Sequence, residues 1–179
     1  IMTMIAAKLQ AVQERISRAC AAAGRPVDSV RLLAVSKTFP AADVEAAAQA
    51  GQRLFGENYI QEGVAKIQAL KGRVLEWHCI GPVQGNKTRL VAEHFDWVQS
   101  VDRLRIAQRL NDQRPSHLPP LQVCLQVNVD GGATKSGISP DELPELAQAV
   151  AALPRLVLRG LMSIPEPAAD FESALAPHV

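Results

Sequence analysis

The chain has 179 residues, of which 47% are hydrophobic and 21% are charged, and its formal net charge is +1. This length and composition are typical of one soluble globular domain, and the absence of any basic block excludes an electrostatic footprint for nucleic acid. The sequence contains no run of about 18 apolar residues, so no membrane span is expected. Lys8, Glu14 and Arg15 interrupt the first segment, so no signal peptide is expected there.

The first segment predicts an amphipathic helix, because Ile5, Leu9 and Val12 begin an apolar stripe with three- and four-residue steps. Gly24 and Pro26 end it. Short apolar segments and longer amphipathic segments then alternate. The predicted strands cover residues 30–37, 52–58, 74–81, 96–101, 120–129 and 155–164. The predicted helices cover 41–51, 59–72, 86–95, 102–114 and 139–154, and 167–179 looks like the start of another. Alternation of this kind predicts βαβ units and a parallel sheet.

Two closures of such a sheet are open: a doubly wound sheet and a (β/α)8 barrel. The first βα turn, SKTFPAAD, has no glycine, which argues against a dinucleotide-binding fold. Residues 121–129 alternate between apolar and polar side chains, and a barrel can keep the polar face inside near its mouth. A barrel of this kind typically needs about 250 residues. Either the chain is incomplete or the sheet is open.

The cysteines are Cys20, Cys79 and Cys124, an odd number at wide spacing. They are expected to be reduced small hydrophobes in a cytoplasmic protein, with no disulfide framework and no metal spacing. No Ser-His-Asp order and no Walker motif is found, so neither a hydrolytic triad nor a nucleotide loop is expected.

Lys37 ends the first predicted strand, within the stretch RLLAVSKTFPAADV. One interpretation is a lysine that meets water at a strand end. The other is a reactive amine, because partial burial would lower the pKa of the lysine and let the free amine condense with an aldehyde such as pyridoxal phosphate. The residue types alone leave both interpretations open.

Other polar residues also have a structural and a functional interpretation. Asn58 is either a helix N-cap or an amide that reaches into a barrel mouth. His78 lies within a strand, where a hydrogen-bonded core histidine is commoner than a catalyst. Glu57 and Glu62 are expected to be acids in the first turn of a helix, where the helix dipole favours a negative charge. Asp102 is expected to be a cap.

Six stretches occur in order and at coherent spacing: LLAVSKT, FGENYIQE, WHCIGPVQGNK, SVDRL, QVNV with KSGI, and RGLM. Together they resemble the YggS/PROSC family of pyridoxal phosphate homeostasis proteins, from the first helix to about Pro165. The resemblance departs mildly at residues 82–85, which read Pro-Val-Gln-Gly. The SMGMS-like and RIGTAIFG-like stretches, which supply the family's phosphate contacts, are not present.

The resemblance implies a TIM-type (β/α)8 barrel of the alanine racemase N-terminal kind. Residues 1–179 would form one barrel domain that is C-terminally incomplete, with about six strands. Pyridoxal 5'-phosphate would bind at the C-terminal mouth as a Schiff base on Lys37. The cofactor-binding residues that the resemblance implies are Lys37, Asn58, His78, Ser100 and Met162.

The resemblance implies a non-catalytic, cytoplasmic, monomeric protein that holds the cofactor, controls its free level and could deliver it to dependent apo-enzymes. No catalytic residue is expected, because the chain has only Tyr59 and lacks the second domain with which racemases supply a tyrosine. Two alternatives stay open. One is a racemase or related single-domain enzyme on the same cofactor, and the other is a barrel enzyme whose lysine forms an imine with a phosphorylated metabolite.

Overall fold

The computed structural model describes residues 3–133 and 135–179. In these ranges six strands alternate with helices, as the sequence predicts. The strands are β1 Ala34–Val35, β2 Leu54–Glu57, β3 Glu76–Cys79, β4 Trp97–Val101, β5 Leu121–Gln126 and β6 Leu156–Met162. The helices are α1 Met4–Ala22, α2 Ala41–Gln49, α3 Ile60–Ala69, α4 Thr88–His94, α5 Leu104–Gln113, α6 Leu143–Ala151 and α7 Phe171–Leu175. Among the strands, the largest difference is at β1, which has two residues where eight were predicted.

The strands lie in the sheet in chain order, from β1 to β6. The pairs β1–β2, β3–β4, β4–β5 and β5–β6 are parallel. A doubly wound sheet reverses its strand order at a switch point, whereas a (β/α) barrel adds each strand beside the previous one. The order without reversal is therefore the barrel order, and the predicted parallel α/β class is confirmed.

The chain divides into two compact units, Ile1–Trp77 and His78–Val179. The first unit holds β1, β2 and the beginning of β3, where the Glu76 N–H donates to the Arg53 carbonyl at 2.8 Å. Its core includes Val44 of α2 and Phe55 of β2, both fully buried. The Phe55 ring packs on that of Trp77 with 5.6 Å between ring centroids. The single-domain interpretation of residues 1–179 stays a prediction.

The second unit shows the alternation that the sequence predicts for β5. Leu121, Val123 and Leu125 are fully buried, whereas Gln122 and Cys124 on the other face are half-buried. Fully buried residues of the neighbouring helices, such as those at positions 107, 110 and 150, complete this core. One face of the sheet thus packs on helices and the other keeps polar side chains.

Two global properties concern the chain's environment. No helix of the described ranges combines the length and apolar character needed to cross a bilayer. Cys20, Cys79 and Cys124 are free thiols, the first two buried and the third half-buried.

Candidate functional site

Lys37 lies in a tight turn at the carboxyl end of β1. The Ser36 N–H donates to the Gly56 carbonyl of β2 at 2.9 Å, and the Phe39 N–H donates back to the Ser36 carbonyl at 3.1 Å. Lys37 and Thr38 are therefore the two central residues of a four-residue turn, called here the Lys37 turn. The Lys37 side chain is exposed, which agrees with the interpretation of a strand-end lysine that meets water and lacks the partial burial that the reactive-amine interpretation assumes. Within residues 3–133 and 135–179 its amine forms no hydrogen bond or ion pair.

Thr38 has an unusual backbone conformation. Its φ is 68°, and it is the one residue other than glycine with positive φ among those described. Where the second central residue of a four-residue turn has a positive φ, that residue is usually glycine or asparagine. A β-branched residue there is strained, and such strain persists only where surrounding contacts hold it. The contact that holds it is the Glu62 carboxylate, whose Oε1 accepts the Thr38 N–H at 2.8 Å.

Four side chains meet beneath the Lys37 turn, three of them ionic: Ser36, Glu57, Glu62 and Lys66, called here the Lys66 cluster. All but Glu62 are buried. Lys66 Nζ donates to Glu57 Oε1 at 2.7 Å, to Glu62 Oε1 at 2.9 Å and to the Ser36 carbonyl at 2.7 Å. Ser36 Oγ also donates to Glu57 Oε1, at 2.8 Å. A lysine is almost never this buried unless it is paired, and here three acceptors satisfy its three protons.

The Lys66 cluster was missed by sequence reasoning. Glu57 is not a first-turn acid; it is the last residue of β2 and is fully buried, so that expectation is wrong. Glu62 does lie in the first turn of α3. Its spacing of four residues from Lys66 was the available signal, because residues at this spacing face each other on a helix. The hydrogen bond from Lys66 lowers the pKa of Glu62, helped by the Thr38 N–H and opposed by partial burial.

Asn58 follows directly after β2 and is half-buried. The N-cap of α3 is Tyr59, and no side chain caps this helix. The N-cap interpretation of Asn58 is therefore wrong. Its amide lies one residue beyond the end of β2, which pairs with β1, so Asn58 and Lys37 belong to the same edge of the first unit.

His78, in β3 of the second unit, is 4% exposed. Its Nδ1 lies 2.8 Å from Nε2 of Gln99, and its ring stacks on Trp97 with 5.0 Å between centroids. The Arg159 guanidinium lies 5.0 Å from the centroid of the same Trp97 ring. These contacts agree with the structural interpretation of a hydrogen-bonded core histidine. A role of His78 toward a cofactor stays a prediction.

Ser100 and Met162 lie at the carboxyl ends of β4 and β6. Ser100 is buried, and its Oγ donates to the Gly81 carbonyl at 2.6 Å. It lines, with Gln126 of β5, a cavity of about 250 Å³. Met162 is half-buried, and its carbonyl accepts the Val127 N–H at 2.9 Å. The structure thus places both residues near strand ends and engages the serine hydroxyl in a structural bond, and their role toward a cofactor stays a prediction.

Asp102 is not the cap that the sequence predicts. The N-cap of α5 is Arg103, and no side chain caps this helix. Asp102 Oδ2 instead accepts the Gly137 N–H at 3.0 Å, which ties the end of β4 to the loop after β5. Lys135 in that loop forms ion pairs with Asp130 at 3.5 Å and Glu166 at 3.1 Å.

These features define a class of protein. A parallel α/β sheet in barrel order carries an accessible lysine on a hydrogen-bonded turn at the carboxyl end of a strand, the end at which barrels of this kind place their sites. In the ranges that the structure describes, no group of three His, Cys, Asp or Glu side chains could hold a metal ion. The reactive group that this arrangement offers is the Lys37 amine, which can condense with an aldehyde.

Comparison with known proteins narrows the class. The family described as "Alanine racemase, N-terminal domain" matches residues 7–177. The chain is 60% identical over 169 residues to the pyridoxal phosphate homeostasis protein of Pseudomonas aeruginosa and 58% identical over 173 residues to that of Escherichia coli K12. These matches cover 94% and 95% of this chain and 74% of each relative. The chain therefore belongs to the alanine racemase N-terminal domain family and, within it, to the pyridoxal phosphate homeostasis proteins.

A solved structure also resembles the chain. PipY of Synechococcus elongatus, with PLP bound, superposes with a TM-score of 0.73 at 37% sequence identity. The match covers 86% of this chain and 72% of PipY. The predicted fold family is thus confirmed, and the predicted site residues stay predictions.

Proposed function

We propose that this protein binds pyridoxal 5'-phosphate on Lys37 and holds it in reserve without catalysing a reaction of its own. The observation that carries the proposal is an accessible Lys37 amine, with no partner in the described ranges, at the carboxyl end of a strand. An amine that must meet an aldehyde has to be reachable and must not be tied up in an ion pair. The names of the relatives and the PLP in the PipY structure support the same choice.

The residues present fit the aldehyde end of this cofactor. Lys37 would hold the cofactor through its Nζ, and the cofactor would supply the aldehyde with which that amine condenses, releasing water. Asn58, on the same edge as Lys37, supplies a side-chain amide that is not used to cap α3. We extend the cofactor-binding set to His78, Ser100 and Met162, because each lies at or near the carboxyl end of its strand. In this proposal the protein acts in the cytoplasm as a monomer and supplies apo-enzymes that need the cofactor.

The cofactor's own contribution is a conjugated imine that can stabilise a carbanion. A racemase, the alternative function, would also need a second acid or base on the opposite side of the substrate. Tyr59, the one tyrosine, is 58% exposed and is the N-cap residue of α3. Incubation with L-alanine and chiral analysis separates the two functions, since racemisation well above that of free cofactor would favour the enzyme.

The decisive experiment is reduction of the loaded protein. The purified chain is mixed with pyridoxal phosphate, its visible absorption is recorded, and borohydride reduction is followed by peptide mass analysis. We expect a visible band and a reduced adduct on Lys37, both lost in Lys37→Ala. Lys71→Ala is the matched control, because Lys71 is another exposed lysine of the first unit. A band that persists in Lys37→Ala, or wild-type protein that stays colourless, would overturn the proposal.

A further inference from the structure

We propose that Glu62 and Lys66 are positioning residues that fix the direction of the Lys37 side chain. The inference rests on the proposed function, because it assumes that Lys37 is the point of cofactor attachment. The role assigned to the Lys66 cluster is to hold the Lys37 turn in one conformation, so that the Cα–Cβ bond of Lys37, from which the exposed side chain extends, has a defined direction.

Both peptide groups that flank Lys37 are bound to the same ion pair. The Ser36 carbonyl, which belongs to the peptide before Lys37, accepts Lys66 Nζ at 2.7 Å. The Thr38 N–H, which belongs to the peptide after Lys37, donates to Glu62 Oε1 at 2.8 Å. Lys66 and Glu62 are joined at 2.9 Å. With both neighbouring peptide planes held, the two soft backbone dihedrals of Lys37 have little freedom.

The conformation so held is one that the local sequence does not favour. Thr38 at φ 68° is β-branched, and residues of this type rarely adopt positive φ. A turn of this sequence without the two bonds would relax to other conformations. Strained backbone next to a reactive residue is a common means of preorganisation. The strained conformation of Thr38 is therefore kept by the Glu62 contact, and the direction of the Lys37 side chain depends on that contact.

Burial makes the holding group rigid. Glu57 is fully buried and Lys66 is 5% exposed, so their attraction is little screened by water. Glu57 Oε1 accepts both Lys66 Nζ and Ser36 Oγ, which ties the cluster to the end of β1 as well as to β2. Glu62 is the exception, with a side chain 34% exposed, so it can be replaced with less risk to folding.

The test therefore varies Glu62. Glu62→Ala removes the acceptor of the Thr38 N–H, Glu62→Gln keeps an acceptor oxygen in nearly the same place, and Glu62→Asp keeps the charge but withdraws it by one methylene. Glu45→Ala is the control, because Glu45 is another carboxylate of the first unit and pairs with Arg73 away from the Lys37 turn. Each protein is mixed with pyridoxal phosphate, and the readouts are the rate at which the visible band grows, its induced circular dichroism, and the trapped adduct on Lys37 relative to Lys71.

We expect Glu62→Ala to slow attachment at Lys37 by about tenfold and to weaken the induced dichroism, because the amine then samples several directions. Labelling of Lys71, and every readout of Glu45→Ala, should match wild type. Glu62→Gln should restore most of the rate. If Glu62→Ala fails to fold, Glu62→Asp decides, with a slower rate expected.

Wild-type rate and dichroism in a folded Glu62→Ala or Glu62→Asp protein would overturn the inference while leaving Lys37 as the attachment point. Absence of any Lys37 adduct in the wild-type protein would instead overturn the proposed function. The same reductions therefore distinguish the two failures.

Discussion

Lys66 and Glu57 form an ion pair of 2.7 Å in which the side chains are 6% and 0% exposed. The second oxygen of Glu57, Oε2, is buried and has no hydrogen-bond partner among the described residues. A pair of this kind costs desolvation on both sides, and its attraction offsets that cost only while both partners are present. The pair is therefore a sensitive point of the first unit.

Removing one partner of this pair should destabilise the protein more than removing both. Lys66→Met leaves Glu57 as a buried charge without its cation, and we expect a loss of about 3–5 kcal/mol in the free energy of unfolding. The double variant Glu57→Gln/Lys66→Met should lose at least about 1 kcal/mol less than the single variant, because no charge is left buried. Urea unfolding of the two single variants and the double variant measures the coupling. Additive losses would contradict the expectation.

The pH dependence of stability should reveal Glu62. The hydrogen bond from Lys66 is the largest cause that holds the pKa of Glu62 below 4.5 in the folded protein, with the Thr38 N–H next in the same direction. A carboxyl whose folded pKa is depressed contributes stability above its unfolded pKa and loses that contribution as the pH falls through the folded pKa. Wild type should thus lose, below about pH 4.5, a stability increment that Glu62→Gln lacks at any pH.

Thermal melts of wild type and Glu62→Gln between pH 7 and pH 3 measure this difference. The two melting temperatures should differ most at neutral pH and converge in acid. Curves that stay parallel over the whole range would show that the Glu62 charge does not contribute.

Gly137 should not tolerate a side chain. A Cβ built there would lie 2.6 Å from the Asn128 nitrogen and 2.8 Å from the Val127 carbonyl carbon, and φ at Gly137 is +116°. Because the obstructing atoms are backbone, Gly137→Ala must displace the loop or the end of β5, and we expect a loss of about 2–4 kcal/mol. Gly132→Ala in the same loop is the control, since its Cβ would make an ordinary 3.6 Å contact with Lys135. Equal melting temperatures for the two variants would contradict the clash.

Cys79 should be chemically silent in the folded protein. Burial raises the pKa of its thiol to about 12, so only about one molecule in 10⁴ carries the thiolate at pH 8. Labelling with an aromatic disulfide reagent should show Cys79 reacting only after urea is added, and Cys79→Ser should leave the native reaction unchanged. A fast-reacting thiol in the native protein that disappears in Cys79→Ser would show that the site opens readily.

Local pattern was sufficient for most secondary structure and insufficient at its boundaries. The three- and four-residue apolar steps predict α1, and its end at Ala22 followed by Gly24 with φ of 64° agrees. The predictions for Asn58 and Asp102 failed for a common reason: α3 and α5 each start one residue later than a cap at those positions requires. At Asp102 the loop after β5 takes the carboxylate instead, through the Gly137 N–H, and such contacts compete with capping.

The predicted site residues illustrate the same division. Motif order was enough to choose Lys37 and to identify the family that the comparisons confirm. The residue types could not decide between an exposed and a partly buried Lys37, because the burial of a residue beyond a strand end depends on the elements packed around it. Glu57 was misjudged as a helix acid although the predicted strand 52–58 includes it, and its pairing with Lys66 arises only when α3 packs beside β2.

Apolar spacing along the chain was enough to predict the alternation of strands and helices and the parallel class, and the ordered motifs were enough to predict the family. The meeting of Glu57, Glu62 and Lys66 beneath the Lys37 turn depends instead on how the elements pack. Ser36 and Lys66 are separated by 30 positions along the chain. Contacts at that range exist only when β1, β2 and α3 pack together, and the low dielectric created by that packing is what makes a buried ion pair either stable or costly.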